Sequence, residues 1–518
     1  MRVGQGLKRA AQIKPNGTAT VFLGRRQTWR EVQDRVARLA GGLVRAGLSN
    51  GGRAAILSLN NDRYFEYLLA VPMAGGAVVP INIRLAPPEI QYILEDSGAE
   101  FIFVDDRFAP VLETLKGKMG SVREVVYLGD GPLPRGMLAY ETLLNAAPML
   151  DEKSSAADLA GIFYTGGTTG KSKGAMLSHR NLVTNAANVV SAFDYDADSV
   201  YLHAAPMFHA ADNASTLAVT MLGGVHVFVT AFEPAEFLAA IQRKRVTHTL
   251  LVPTMINMLV NFPKLADYNL SSLQQIAYGA SPMPDALLRR AVEMLPGVRF
   301  VHAYGMTEAA PLVTALHPRH STLEGLQSGK SKSCGQAGLM VEVRIADAYD
   351  NEVPRGTVGE VQVRGPNIML GYWNKPELTK EALRGGWYHS GDGAYMDEEG
   401  FVYIVDRLKD MIITGGENVY CAEVESAIST LAGVSEVAVI GIPDEKWGEA
   451  VHAIVVPQTG ACVTPEQVMA HCHTLIAGYK CPRSVTIRNE PMPLSGAGKI
   501  LKVVLREPYW AGRTKRVN

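Results

Sequence analysis

The stretch Tyr164-Thr165-Gly166-Gly167-Thr168-Thr169-Gly170-Lys171-Ser172-Lys173-Gly174 decides how this chain is read. An apolar run, Leu159-Ala160-Gly161-Ile162-Phe163, precedes it and predicts a buried strand. Ala175-Met176-Leu177 and then Ser178-His179-Arg180-Asn181 follow, leading into a helix-like segment. The loop between them holds four glycines, three threonines, one serine and two lysines. Glycines let backbone N–H groups turn toward an anion, hydroxyls add donors, and lysines supply neutralising charge. Such a loop is suited to phosphate. An ordinary surface turn also favours Gly, Ser and Thr, but it accounts poorly for two lysines fed by a buried strand. The Walker pattern G-x-x-x-x-G-K-[ST] fails on spacing: Gly170-Lys171-Ser172 supplies its end, but Thr165 stands where its first glycine belongs.

The stretch resembles the signature loop of the adenylate-forming superfamily, which includes acyl- and aryl-CoA synthetases, luciferases and peptide-synthetase adenylation domains. Family members usually read Y-T-S-G-T-T-G-x-P-K-G. Here Gly166 replaces the serine and Ser172 the proline, and both changes preserve contacts made by backbone. The resemblance assigns Thr165, Gly166, Gly167, Thr168, Thr169, Gly170, Lys171, Ser172 and Lys173 to ATP.

Bulk composition agrees with a soluble enzyme. The chain has 518 residues, 47% hydrophobic and 19% charged, enough for a large core and more than one domain. A net charge of −1 provides no basic field to draw nucleic acid. Five cysteines without a disulfide-scaffold spacing fit reduced thiols in a cytoplasm. His471-Cys472-His473 with Cys481 matches no zinc spacing and reads as an amphipathic helix. No signal peptide is visible, and the longest greasy run, Tyr67 to Ile81, is broken by Pro72, Gly75, Gly76 and Pro80, so it cannot span a bilayer.

Ahead of the loop, helical and strand periods alternate. Val32, Val36, Leu39, Leu43 and Val44 recur at helical spacing. Strands are predicted at 54–59, 77–81, 101–104 and 124–128, with helices at 63–73, 87–95 and up to about 115. This predicts an α/β fold, a large N-terminal region of parallel or mixed sheet with helices on both faces. A strand running into a turn is expected over 201–209, and the small residues 210–215 after it suit a cavity, although Asp212 and Asn213 do not suit an apolar one. The charged tetrad Arg407-Leu408-Lys409-Asp410 marks a boundary, giving an adenylation domain over 1–408 and a small mobile α+β domain over 409–518.

Further motifs extend the resemblance along nearly the whole chain. Phe208-His209 fits the aromatic–His element that borders the acyl pocket, with Ala210 beside it and Gly279 across from it. The turn Gly279-Ala280-Ser281 would separate adenine from acyl chain. In Tyr304-Gly305-Met306-Thr307-Glu308, the tyrosine offers adenine a flat face and Glu308 offers magnesium a carboxylate, with Thr168 or Thr307 adding a hydroxyl. Asp392, in His389-Ser390-Gly391-Asp392, can accept both ribose hydroxyls, although a turn-capping aspartate explains it too. Arg407 joins the nucleotide set. The resemblance makes Lys409 the hinge, Gly415 and Gly416 the face toward coenzyme A, and Lys499 of Ala497-Gly498-Lys499 the catalytic lysine.

Together these parts imply an AMP-forming acid–thiol ligase. A carboxylate and ATP repel one another, so position and electrostatic stabilisation must do the catalysis, with Lys499, Glu308 and Thr168 as the catalytic set. An acyl adenylate and pyrophosphate form first, and the small domain then turns to admit the thiol of coenzyme A. Coenzyme A is expected as acceptor because the chain ends without a carrier-protein domain. The rival readings are transfer to a separate carrier protein and a non-catalytic nucleotide-binding protein; a homodimer is left open. The acid, fatty or arylalkenoic, is not specified. The stretches 208–215 and 278–281 lack Arg and Lys, which disfavours a second carboxylate.

Overall fold

The computed structural model describes residues 1–150, 154–165, 172–281, 283–407, 410–494 and 500–511. Its first sheet has eight strands and contains the alternating units expected from the sequence. Arg53–Leu57, Ala77–Pro80, Phe101–Val104 and Glu124–Tyr127 run parallel. Leu159–Thr165 joins this sheet beside Ala77–Pro80 and pairs antiparallel with Lys173–Ser178, Thr165 opposite Lys173. The phosphate-loop stretch therefore connects two antiparallel strands. A Walker loop joins a strand to a helix, so topology excludes it independently of spacing.

A second sheet of nine strands has Val200–His203, Val225–Phe228, His248–Leu251, Gln275–Gly279 and Arg299–Gly305 in parallel at its centre. Leu312–Leu316 returns antiparallel beside Arg299–Gly305. One apolar cluster holds Phe101 and Phe103 from the first sheet, Tyr201 and Val301 from the second, and Trp29, Phe65, Leu182 and Ala218 from helices. The helices Trp29–Arg45, Asp62–Met73, His179–Ala192 and Ala210–Leu222 thus form a shared layer between the sheets. Local chemistry starts them where the sequence says. Thr28 with Glu31 and Ser178 with Asn181 form reciprocal caps, and Asn61 caps the Tyr64 N–H. No helix among the described residues is long and apolar enough to cross a membrane.

A third sheet is antiparallel and contains Glu342–Ala346, Gly359–Arg364, Tyr388–Met396 and Val402–Arg407. The C-terminal region adds a five-stranded sheet with the helices Cys421–Ser429, Pro465–Leu475 and Lys502–Trp510. Two apolar clusters there draw their buried members only from Ile412 onward. Across the junction, the Cys421 N–H donates to Asp406, and within the C-terminal region Arg506 pairs with Asp410 at 2.8 Å. Cys472 and Cys481 belong to the C-terminal core, and His471 bonds Thr430 at 2.8 Å.

The segment 201–209 is a strand running into a turn, as expected; it ends at His203, where the Asn60 amide donates to the carbonyls of His203 and Ala205 and accepts the Met207 N–H at 2.8 Å. The small residues 210–215 begin the helix Ala210–Leu222 and pack in the shared layer. Asp212 is explained by polar partners: it accepts from Tyr201 at 2.9 Å and meets His203 Nδ1 at 2.8 Å, and His203 in turn meets His226. Asp392 lies within a strand and caps no turn.

Four histidines are held neutral by desolvation. Burial pushes His179, His248, His302 and His452 down to about 4. A histidine depressed in the folded state is protonated first in the unfolded chain, so its contribution is complete above pH 6.5 and is lost as pH falls toward 4. The melting temperature should therefore begin to fall near pH 6.5, above the range where carboxylates titrate. A differential scanning fluorimetry series across pH checks this, and a flat profile down to pH 5 contradicts it.

Candidate active site

Three groups of predicted residues converge on the ends of neighbouring strands. At the phosphate end, the hairpin pairing sets Thr165 opposite Lys173. The Lys173 ammonium donates to the Tyr372 hydroxyl at 2.6 Å and lies 3.8 Å from Glu308. Tyr372 in turn donates to Glu308 Oε1 at 2.8 Å. Ser172 sits at the loop's exit, where its carbonyl accepts from Tyr92 at 3.1 Å. Gly166, Gly167, Thr168, Thr169, Gly170 and Lys171 lie outside the described residues.

In the middle, close backbone approach explains two glycines. A Cβ on Gly279 would lie 2.2 Å from the Ala303 carbonyl oxygen, and one on Gly305 2.0 Å from that of Pro311. Ala280 then turns the chain with φ 68°, ahead of Ser281. Met306 donates its N–H to the Pro311 carbonyl at 3.0 Å, and Thr307, Glu308 and Ala309 form a single 3-10 turn. Two buried asparagines brace it. The Asn185 amide donates to the carbonyls of Ala309 and Leu312 at 3.1 and 3.2 Å, and Asn367 donates to the same pair at 2.8 and 3.3 Å. Glu308 itself is 6% exposed.

At the ribose end, Tyr304, Asp392 and Arg407 meet. The Tyr304 hydroxyl donates to Asp392 Oδ2 at 2.7 Å, and Arg407 Nε approaches Oδ1 at 2.8 Å. Strand register makes this possible, since Asp392 and Arg407 are cross-strand partners. The Asp392 charge raises the Arg407 guanidinium, and burial keeps the Tyr304 phenol protonated well above its usual range. Asp392 is thus oriented from two sides.

The remaining candidates lie apart from these groups. His209 precedes the helix Ala210–Leu222 and packs its ring on Phe208, centroids 4.2 Å apart; Ala210 is the first helical residue and is buried. Gly415 and Gly416 form the two-residue turn between Ile412–Thr414 and Glu417–Val419, at φ 60° and 85°. Positive φ at both positions is the hairpin geometry that glycine satisfies. A Cβ on Gly415 would also strike the Trp447 ring at 2.6 Å. Lys409 and Lys499 lie outside the described residues.

This geometry sets Lys173, which follows the glycine-rich stretch, against the carboxylate of Glu308, and Tyr304, four residues before Glu308, against an aspartate also held by an arginine. Residues 7–373 match the family described as AMP-binding enzyme, and residues 423–499 match its C-terminal domain. The chain belongs to the AMP-binding enzyme family. It is 40% identical over 507 residues to a feruloyl-CoA synthase of an Amycolatopsis species, covering 97% of this chain and 98% of that protein. It is 33% identical to an indoleacetate–CoA ligase of Aromatoleum aromaticum, covering 98% of each. The crystal structure of ATP-bound MatB from Rhodopseudomonas palustris superposes with a TM-score of 0.87 at 31% identity, covering 99% of both chains.

Within this AMP-binding enzyme, sequence reasoning missed the residues that hold the candidates in place. Tyr372, Asn185 and Asn367 are far from Glu308 along the chain; Asn185 lies in a helix, Tyr372 in a short strand and Asn367 in a turn, and none stands in a motif that marks it. The clash at Gly305 yields a direct expectation. Gly305→Ala must push the Glu308 turn away from Pro311, and displacement of that order costs about 10²-fold in rate. Steady-state pyrophosphate release should show that loss together with a lowered melting temperature, since forcing packed backbone apart costs about 1–3 kcal/mol; an unchanged rate contradicts the expectation.

Proposed function

We propose that the acid activated by this enzyme is an aryl-substituted carboxylic acid of the arylalkenoic, ferulate-like kind. The observation that carries this reading is the 40% identity, over nearly the full length, to a feruloyl-CoA synthase. An indoleacetate–CoA ligase, also named for an aryl acid, supports it. So does the lack of Arg and Lys in 208–215 and 278–281, which leaves a second carboxylate without a partner there. The reaction class is firmer. The chain is an AMP-forming acyl-CoA synthetase, which joins a carboxylic acid to ATP as an acyl adenylate and then forms the CoA thioester.

The residue roles belong to the same proposal. Tyr304 stacks on adenine while Asp392, oriented by Arg407, accepts the ribose hydroxyls. Lys173, with Lys171 and the loop N–H groups, offsets the charge of the outer phosphates. A buried carboxylate is the hard oxygen donor that magnesium prefers, so Glu308 fits the ion, and Thr168 is the second residue proposed to ligate it. The ion would neutralise phosphate charge. Lys499 bridges the attacking carboxylate and the innermost phosphate, and turning of the region beyond a 408/409 boundary, about Lys409, then withdraws it. The Gly415-Gly416 turn meets coenzyme A after that movement. Gly279 separates acyl chain from adenine, with His209 and Ala210 at the pocket wall. A cytoplasmic location and a homodimer are compatible with these roles.

Two measurements test this. A pyrophosphate-release and thioester screen across ferulate, coumarate, indoleacetate and fatty acids of graded length should give the highest kcat/KM with a phenylpropenoic acid; a maximum on an aliphatic chain overturns the aryl reading. Lys499→Ala should lose adenylation by about 10²-fold or more yet still convert supplied acyl adenylate and coenzyme A to thioester. Equal loss of both half-reactions contradicts the assigned role.

A further inference from the structure

We propose that Tyr372 is a positioning residue for the phosphate end of the site, fixing Glu308 and Lys173 relative to one another before nucleotide arrives. The inference rests on the reading of Glu308 as the metal-binding carboxylate. Tyr372 sits on the short strand Gly371-Tyr372, which pairs antiparallel with Ala175 and Met176, on the strand that also carries Lys173. Its N–H is held by Thr379 Oγ1 at 2.8 Å, and the next N–H, of Trp373, donates to the Gly174 carbonyl at 2.8 Å. Phenol and lysine therefore ride on one rigid ladder.

The phenol's own valences then determine what it does. Its oxygen accepts from Lys173 at 2.6 Å. Its single proton is donated to Glu308 at 2.8 Å. A phenol has one O–H, so its only donor is committed to the carboxylate. A phenol ordinarily keeps its proton up to about pH 10, so it is a donor at neutral pH. Lys173 also lies 4.0 Å from the centroid of the Tyr372 ring, a cation–π contact that keeps the ammonium over the same side chain. When polyphosphate draws Lys173 away, the phenol still holds the buried carboxylate in a single orientation. The backbone of Glu308 is fixed separately, by Met369 N–H at 2.8 Å to its carbonyl. Tyr372 controls the side chain.

The test is equilibrium binding of α,β-methylene-ATP to the full-length protein by calorimetry, in magnesium and again in EDTA. Loss of one charge-assisted hydrogen bond should weaken binding of Tyr372→Phe about tenfold in magnesium and less than about twofold in EDTA, with a raised magnesium concentration for half-saturation. Equal weakening in both media means a general structural role and overturns the inference, as does no weakening in either. If Tyr372→Phe fails to fold, Tyr372→Met decides, and an unchanged magnesium response overturns the proposal. Glu308→Gln separates the two readings. It should abolish the advantage of magnesium; if it keeps it, the metal role of Glu308 fails. If it loses it while Tyr372→Phe does not, Tyr372 alone is refuted.

Discussion

A carboxylate buried beside a phosphate-binding loop has to be held against its own desolvation, and much of this site is arranged around that constraint. Glu308 is nearly inaccessible, yet it lies where negatively charged phosphates are expected. An unpaired buried charge costs several kcal/mol, so the chain surrounds it with a phenol at 2.8 Å and a lysine at 3.8 Å. Lys173 also adjoins the glycine-rich stretch in sequence.

The architecture supplies those partners from distant parts of the chain. Lys173 comes from a hairpin strand of the eight-stranded sheet, Glu308 from the turn after a central strand of the nine-stranded sheet, and Tyr372 from a two-residue strand that closes the first sheet's edge. Asn185, on the helix that follows the phosphate-loop hairpin, and Asn367 bind the same two carbonyls and join these parts. The ribose end follows the same logic within the third sheet, where register alone brings Arg407 to Asp392. Movement in any one sheet would be felt at the carboxylate. A reaction that depends on placing two repelling anions in line requires that stiffness.

Buried polar groups away from the site have a related role. Asp212, His203 and His226 form a chain inside the helical layer, fully removed from solvent. It looked out of place in a run of small residues, and it anchors the helix headed by His209 to the central strands. Asn60 does similar work on the segment before that helix, where the strand ends. Satisfied buried networks of this kind specify one arrangement among many that apolar packing alone would tolerate.

The amino-acid sequence by itself determined the family and the alternating α/β character, and it named the candidate site residues. Those signals are local: a glycine-rich loop after an apolar run, a Tyr-Gly-x-Thr-Glu turn, and periods of two and 3.6 in apolar residues. Only the tertiary structure decided that the loop lies in an antiparallel hairpin, that Asp392 is a strand residue gripped by Tyr304 and Arg407, and that Tyr372 stands between Lys173 and Glu308. The reason is physical. Periodicity records which face of an element is buried, whereas a contact between residues 173, 308 and 372 depends on sheet order and register, which no window of sequence contains.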